Sequence, residues 1–168
     1  GDVQRMSIDM WVDASWATNQ AYAGLWSVGK NGSGVVSSYP IIAWRSTTGA
    51  TPGFYVWDYF DTGSWVLVKA AEAGDYGKWH TFAFELRVGE GVQYYLDGQP
   101  AGAFLADGDT ASLGNVILNV YNYGFDHDVY WDNFSTSGVS IVGQATVNAS
   151  NVTFDGFNLS NPNANFGM

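Results

Sequence analysis

Two neighbouring segments of alternating polar and apolar residues constrain the fold of this chain more than any other feature. They span 78–88 and 93–102, and a Gly-Glu-Gly turn lies between them. In the first segment Phe82, Phe84 and Leu86 alternate with threonine, alanine and glutamate. Side chains alternate between the two faces of a strand, so one face is expected in a core and the other in water. The pair therefore predicts an antiparallel β-sheet.

The same alternation recurs along the chain, while helical periodicity is scarce. In the segment 6–12, the methionines, isoleucine and valine at even positions point to one side and Asp9 and Trp11 to the other. Many short alternating runs bounded by turn residues are typical of a sandwich of two antiparallel sheets, so we predict an all-β fold of this type. The further strands are predicted at 25–28, 41–45, 54–60, 65–68, 116–121 and 129–134.

Length and residue usage predict one main domain followed by a different segment. The chain has 168 residues and no cysteine, which suits a single core that needs no disulfides. We place the domain at 1–142 and a nearly uncharged, asparagine-rich segment at 143–168. That segment contains three glycosylation-type sequons, which short polar segments also produce by chance.

The net charge limits the classes of partner. Six basic against sixteen acidic residues give a net charge of -10, which disfavours nucleic acid, anionic membranes and strongly acidic glycans. Neutral polymers and cations remain compatible. No apolar run is long enough to span a bilayer, so no membrane insertion is expected. Few basic residues and many uncharged polar ones favour a secreted, extracellular, bacterial protein from which any export signal has been removed.

The residue pattern of the two segments 78–88 and 93–102 resembles that of a known family. The pattern W-H-x-x-A at 79–83, followed by Y-L-D-G at 95–98, is similar to the second half of laminin-G-like domains, within the concanavalin A-like lectin/glucanase superfamily. The resemblance covers roughly 4–142 and implies a concanavalin A-like jelly roll whose curved inner sheet holds polysaccharide. It also implies a first strand of the form F-D-G, which this chain carries near its end, at 154–156. The C-terminal segment is therefore expected to supply that edge strand, to open another module, or to bind the sheet edge of a neighbour.

Aromatic residues make up 17% of the chain and charged residues 13%, which favours a ligand-binding surface. In the segment 54–60 the pure hydrocarbons fall on one face and the tyrosines and tryptophan on the other. Tyrosine and tryptophan tolerate a half-wet surface and can stack on sugar rings. The alternative is that these rings are covered by loops or by the second sheet. The expected stacking residues are Trp44, Tyr55, Trp57, Tyr59, Tyr95 and Tyr121, and the expected hydrogen-bonding residues are Glu85, Arg87 and Asn119.

An enzyme finds less support in the sequence. Retaining glycosidases need two carboxylates about 5 Å apart. None of the three glutamates has a carboxylate two residues away, and the motifs of laminarinase-type glycosidases and alginate lyases are missing. A lyase could draw on loosely placed groups, namely His80, His127, Tyr95, Tyr121, Arg45 and Arg87.

Aspartates in loops indicate a structural calcium ion. Asp126 and Asp128 form one pair and Asp107 and Asp109 another, and oxygen ligands suit a hard cation. Solvated turns are the alternative. The resemblance adds Asp132, since related jelly rolls often end in a strand of the form Y-x-D-N whose aspartate binds calcium. Asp132 could equally cap a turn or pair with an arginine. Zinc is disfavoured because the histidines are not clustered.

The sequence thus favours non-catalytic carbohydrate binding, as a lectin or carbohydrate-binding module for a neutral polysaccharide. A second hypothesis is an extracellular assembly or adhesion protein that self-associates through strand addition by the C-terminal segment. A third is a polysaccharide-cleaving enzyme, either a glycosidase or a lyase.

Overall fold

The structure is a computed structural model that describes residues 2–59, 63–121, 123–124 and 128–138, and the backbone of 146–148. Short 3₁₀ helices lie at Ala14–Ala17 and Ala73–Asp75. The strands are β1 (Val3–Val12), β2 (Tyr22–Lys30), β3 (Val36–Ser38), β4 (Ile41–Arg45), β5 (Gly53–Asp58), β6 (Ser64–Ala70), β7 (Lys78–Arg87), β8 (Gly91–Leu96), β9 (Gln99–Ala106), β10 (Ser112–Tyr121), β11 (Trp131–Ser137) and β12 (Thr146–Asn148).

The strands form two sheets. The smaller has five strands in the order β11-β1-β7-β8-β9, and the larger has seven, in the order β12-β10-β2-β4-β5-β6 with β3 beside β2. Neighbouring strands are antiparallel except β12, which runs parallel to β10. The two sheets enclose one core, and the predicted all-β antiparallel sandwich is confirmed. Within the described residues, no helix is long and apolar enough to cross a membrane.

The core follows the alternation of the sequence. All four apolar side chains at even positions of 6–12 are fully buried. Phe82 and Phe84 lie beside them on β7 of the same sheet, and Phe54 joins the same core from β5 of the larger sheet. Each such side chain contributes roughly 1.5–3 kcal/mol when it leaves water. The opposite faces of the same strands are thereby left on the outside of the sandwich, where a ligand could reach them.

The segment 93–102 is a hairpin, not the single strand that its alternation predicts. Asp97 and Gly98 have φ values of 51° and 78°, which separate β8 from β9 with two left-handed residues. Such a pair suits a two-residue hairpin turn. The Asp97 carboxylate accepts a hydrogen bond from the Thr81 backbone N–H at 2.9 Å and lies 2.8 Å from Nδ1 of the buried His80. The histidine and the aspartate of the family-like pattern therefore tie the turn to β7.

Several strand limits also differ from the sequence-based ones; β2, for example, begins at Tyr22 and not at the predicted 25. β10 begins at Ser112, before the predicted 116, and β11 begins at Trp131, after the predicted 129. A register shift between β1 and β11 accompanies this change, and Asn133 in β11 has a φ of 52°. A bulge of this kind breaks simple alternation, so the sequence pattern misplaces the limit. Of the C-terminal segment the structure describes β12 alone, and the F-D-G triplet at 154–156 lies outside the described residues.

Candidate functional site

The outer face of the larger sheet carries a group of aromatic rings, several of which are partly or fully exposed. Alternate residues of β2, β4, β5, β6 and β10 point away from the core, as their cross-strand register shows. We call this surface the large-sheet face. Its defining residues are Tyr22, Trp26, Arg45, Tyr55, Trp57, Trp65, Asn119 and Tyr121.

The centre of the large-sheet face is built from small residues. Gly24 and Ala43 pair across β2 and β4, and a Cβ atom on Gly24 would lie 2.6 Å from the Ala43 Cβ. Tyr22 and Trp65 belong to strands three positions apart, roughly 14 Å at the spacing of neighbouring strands. Their ring centroids nevertheless lie 5.7 Å apart. The small centre leaves the space in which these rings lean towards each other.

Arg45 lies among the rings of the large-sheet face. Its guanidinium carbon is 5.1 Å from the Tyr55 ring centroid and 4.7 Å from that of Trp65. Planar guanidinium groups stack favourably on aromatic faces. The Tyr55 hydroxyl donates to the Thr51 carbonyl at 2.6 Å, which holds the first ring in place. The Arg45 guanidinium is therefore held against the aromatic rings of Tyr55 and Trp65.

Tyr22 is covered by its neighbours on the same face. Its hydroxyl accepts a hydrogen bond from Trp26 Nε1 at 3.0 Å, and only 7% of the residue is exposed. Burial raises its pKa to about 12, although hydrogen bonds with Asn119 and Trp26 act in the opposite direction. Desolvation disfavours the charged phenolate, so this tyrosine stays neutral over the physiological range.

Four of the predicted site residues lie on the large-sheet face: Tyr55, Trp57, Asn119 and Tyr121. Tyr121 is 58% exposed and its ring meets that of Tyr123 at 4.5 Å between centroids. Trp57 is partly exposed and meets Trp65 edge to face at 5.4 Å. Tyr55 is 6% exposed, so it supports Arg45 and offers little surface of its own.

The structure corrects the prediction that Trp44 stacks on a sugar. Its side chain is fully buried between the sheets, where it contacts the rings of Trp16, Phe54 and Tyr76. The register of β4 turns Trp44 inward and Arg45 outward. A ring with no exposed surface has no face for a sugar, so Trp44 is a core residue.

Tyr59 also lies away from the large-sheet face. It follows the end of β5, and its hydroxyl donates to the Asp107 carboxylate at 3.5 Å. The ring packs against the core, and burial raises its pKa well above the ordinary value. The alternation of 54–60 predicts a stacking residue here, but the chain has left the strand before it reaches Tyr59.

The three remaining predicted residues, Glu85, Arg87 and Tyr95, lie on the opposite side of the sandwich. They belong to the outer face of the smaller sheet, which we call the small-sheet face. Glu85 accepts from Arg87 Nε at 3.2 Å and lies 3.8 Å from Arg5. Arg5 also stacks over the Tyr95 ring at 4.7 Å. These side chains bind one another, and they cannot act together with Trp57.

The predicted calcium ligands are spread out. Asp132 lies on the small-sheet face beside Asp9, and its Oδ1 accepts from the Asn133 backbone N–H at 2.7 Å. Asp128 accepts from the Tyr130 hydroxyl at 3.3 Å. Asp126 and His127 lie outside the described residues. Within the described ranges no three histidine, cysteine or acidic side chains come together, and calcium binding stays a prediction.

The Asp107 carboxylate accepts hydrogen bonds from within its own loop, 107–110. Asp107 is 2% exposed, and its Oδ1 accepts from the backbone N–H groups of Asp109 and Thr110 at 2.8 and 3.0 Å. An aspartate that accepts hydrogen bonds from its own turn stabilises that turn. Asp107 therefore has a structural role, although it is buried and the alternative to a calcium site is a solvated turn.

His80 is a structural residue. It is 1% exposed, and its two ring nitrogens face Asp97 Oδ2 at 2.8 Å and the Asp75 carbonyl at 3.0 Å. Lys69 pairs with the Asp75 carboxylate, and this hydrogen bond lowers the pKa of Asp75 against the opposing effect of burial. Both nitrogens are occupied, so this histidine does not supply the base that a lyase would need.

Tyr22, Trp26 and Trp65 belong to the large-sheet face but are absent from the sequence-based set. Tyr22 and Trp26 are four residues apart, which places them on the same side of one strand. Trp65 lies directly opposite Trp57 across the β5–β6 hairpin. The predicted strand limits, 54–60 and 65–68, would pair Trp65 with residue 60 on the core side, so the sequence-based hairpin gives no signal for Trp65. Its place on the large-sheet face follows from the observed pairing of Asp58 with Ser64 and of Trp57 with Trp65.

A shallow cleft of about 190 Å³ lies at one end of the sandwich. It is lined by the loop segments 16–20 and 46–52 and carries no charged side chain in its lining. The large-sheet face offers more specific chemistry, because it combines rings with a cation.

No protein-family model, no curated protein and no solved structure matches the chain.

Proposed function

We propose that this protein binds a largely neutral extracellular polysaccharide without cleaving it, and that the large-sheet face is the binding surface. The observation that carries the proposal is the gathering of Trp26, Trp57, Trp65 and Tyr121 around a centre of small residues, with Arg45 and Asn119 among them. The laminin-G-like resemblance, a secreted bacterial origin and a structural calcium ion belong to the same proposal.

The chemistry of the face suits a sugar chain. Sugar rings present C–H faces that pack on aromatic rings, and tryptophan and tyrosine supply such area at low cost in side-chain entropy. Sugar hydroxyls need paired donors and acceptors, which Asn119 and Arg45 can offer. Partly exposed rings on several neighbouring strands give an extended surface, which suits a polymer better than a single small molecule.

The positions of the acidic side chains favour binding over hydrolysis. Asp9, Glu85 and Asp132 lie on the small-sheet face. Asp75 and Asp97 are held by Lys69 and His80. A retaining or inverting glycosidase needs two carboxyl groups that flank one glycosidic bond, and these acids lie away from the rings that would hold the sugar.

A polysaccharide-binding assay tests the proposal. Wild-type protein is incubated with a panel of neutral and acidic polysaccharides, with and without a calcium chelator, and the same samples are assayed for released reducing ends. We expect binding without release of reducing ends. Trp57→Ala should weaken binding by roughly tenfold or more, whereas the control Trp79→Ala, on the small-sheet face, should not. Equal loss in both variants would contradict the assignment of the face.

A second candidate function rests on β12. This short strand from the C-terminal segment adds to the edge of the larger sheet beside β10. A strand that completes a sheet in its own chain can also complete that of a neighbour, which would make the protein an assembly module. Deletion of 144–168 separates the two functions. Loss of oligomers in light scattering with intact sugar binding would favour assembly.

A further inference from the structure

Arg45 differs from the other arginines of the chain in its partners. Arg5 and Arg87 both pair with Glu85. Within the described residues, the Arg45 guanidinium contacts the rings of Tyr55 and Trp65 and takes part in no ion pair or hydrogen bond. A partly buried donor group without an acceptor normally requires one from water or from a ligand.

The rings that hold Arg45 also fix the direction in which it can bind. A guanidinium stacked on aromatic faces keeps its N–H groups free at its edge, in the plane of the group. Such a planar fork of donors matches the two oxygens of a carboxylate better than a single hydroxyl. Tyr22 and Tyr123 lie close enough to Arg45 for its charge to lower their pKa values against the larger effect of burial. The environment of the cation is thus made of neutral rings, which screen it less than water does.

The charge of the whole molecule limits how acidic the ligand can be. At a net charge of -10 the protein repels a dense polyanion. Screening reduces this repulsion beyond about 8 Å at physiological salt. An isolated carboxylate on an otherwise neutral chain therefore gains the local attraction of Arg45 and meets little of the long-range repulsion.

We propose that Arg45 recognises single carboxylate groups of acidic sugars that are spaced along a largely neutral polysaccharide. This inference rests on the proposed function and names the ligand class of the same face. The neighbouring rings of Trp57 and Trp65 would stack on the neutral sugars beside the acidic one. Arg45 would then determine specificity, and the rings would provide most of the affinity.

Matched polymers test this inference. Glucuronoxylan and two other polysaccharides with sparse free carboxylates, xanthan and highly esterified pectin, are each compared with the same polymer after reduction of its carboxyl groups to alcohols. We expect at least one unreduced polymer to bind about tenfold more tightly than its reduced form, the size of one charge-assisted contact. Equal affinity within every pair, or binding restricted to uncharged polymers elsewhere in the panel, would overturn the inference and leave the proposed function standing. Absence of binding to every polymer would overturn both.

Variants assign the preference to one side chain. Arg45→Met keeps a long side chain over the rings but removes the donors, so the ratio between unreduced and reduced polymer should fall to about one. The control Arg87→Met, on the small-sheet face, should keep the wild-type ratio. Arg45→Lys keeps the charge without the planar fork and should give an intermediate ratio, which also covers the case in which Arg45→Met fails to fold. A wild-type ratio in Arg45→Met would assign the preference to another group, and a wild-type ratio in Arg45→Lys would contradict the requirement for the planar fork.

Discussion

The two outer faces of the sandwich contain similar kinds of residues but differ in the partners of their charged groups. On the small-sheet face Arg5, Glu85 and Arg87 form a closed network of ion pairs. On the large-sheet face Arg45 meets only rings among its described neighbours. Polar groups that already bind one another gain little from a ligand, because the ligand must replace existing contacts. The difference therefore points to the large-sheet face as the surface left available for binding.

The largest effect is expected from removing two rings of one face at a time. The double variant Trp57→Ala/Trp65→Ala loses an edge-to-face pair of the large-sheet face. We expect polysaccharide binding to weaken by about 100-fold, since truncation of central aromatic contacts commonly costs about 2 kcal/mol or more. Isothermal titration calorimetry with the best polymer of the panel measures this.

The matched control is Trp11→Ala/Trp79→Ala, which removes the edge-to-face pair of the small-sheet face, with centroids 5.6 Å apart. Its affinity should stay within about twofold of wild type, well below the effect of a central contact. A comparable loss in both double variants would remove the distinction between the faces.

The loss of stability at alkaline pH tests the burial of Tyr22 on the large-sheet face. Its pKa is raised from 10.0 to about 12 by burial. A raised pKa gives stability that is complete below pH 10 and is lost as the pH rises through about 12, because the unfolded state releases its proton first. Two pKa units correspond to roughly 3 kcal/mol of stability. Urea unfolding between pH 9 and pH 12 should show a smaller decline for Tyr22→Phe than for wild type, and parallel curves would contradict this assignment.

The small centre of the large-sheet face gives a third prediction. A Cβ atom on Gly24 would lie 2.8 Å from the backbone oxygen of Ile42, which cannot move aside as a flexible side chain would. We expect Gly24→Ala to lower the free energy of unfolding by about 2 kcal/mol. Gly32→Ala is the control, because no atom lies within 4 Å of its added Cβ. An unchanged urea midpoint for Gly24→Ala would show that the centre of the sheet is less crowded than described.

The smallest effect is expected from opening the network on the small-sheet face. Glu85→Gln removes the shared partner of Arg5 and Arg87, whose side chains are 32% and 45% exposed. Surface ion pairs of this kind contribute about 0–1 kcal/mol, so thermal stability should fall slightly and polysaccharide affinity should not change. A marked loss of binding would mean that the small-sheet face takes part.

The sequence predicts the faces of single strands well and their assembly less well. Alternation assigns Phe54 and Val56 to the core and Tyr55 and Trp57 to the outside, as the structure has them. Alternation cannot say which of the two sheets a strand joins. The predicted binding set therefore combines residues of β7 and β8 with residues of β5 and β10, although the two groups lie on opposite sides of the sandwich.

Trp44 and Tyr59 show two further limits of alternation. Residues 41–44 are all apolar and all buried, so the sequence carries no signal for the side on which Trp44 lies. Tyr59 has the right parity but follows the last residue of β5, where strand geometry no longer applies. In both cases the decisive information comes from contacts between distant strands.

The eight tryptophans provide the most direct test of the difference between the two faces. Trp26, Trp57 and Trp65 lie on the large-sheet face, Trp11 and Trp79 on the small-sheet face, and the other three are buried. Their indole N–H signals can be followed by ¹H–¹⁵N NMR during titration with an oligosaccharide of the best-binding polymer, after assignment by single substitutions. We expect the signals of Trp26, Trp57 and Trp65 to shift while those of Trp11 and Trp79 stay in place. Shifts at Trp11 and Trp79 with an unchanged large-sheet face would contradict the assignment of the binding surface.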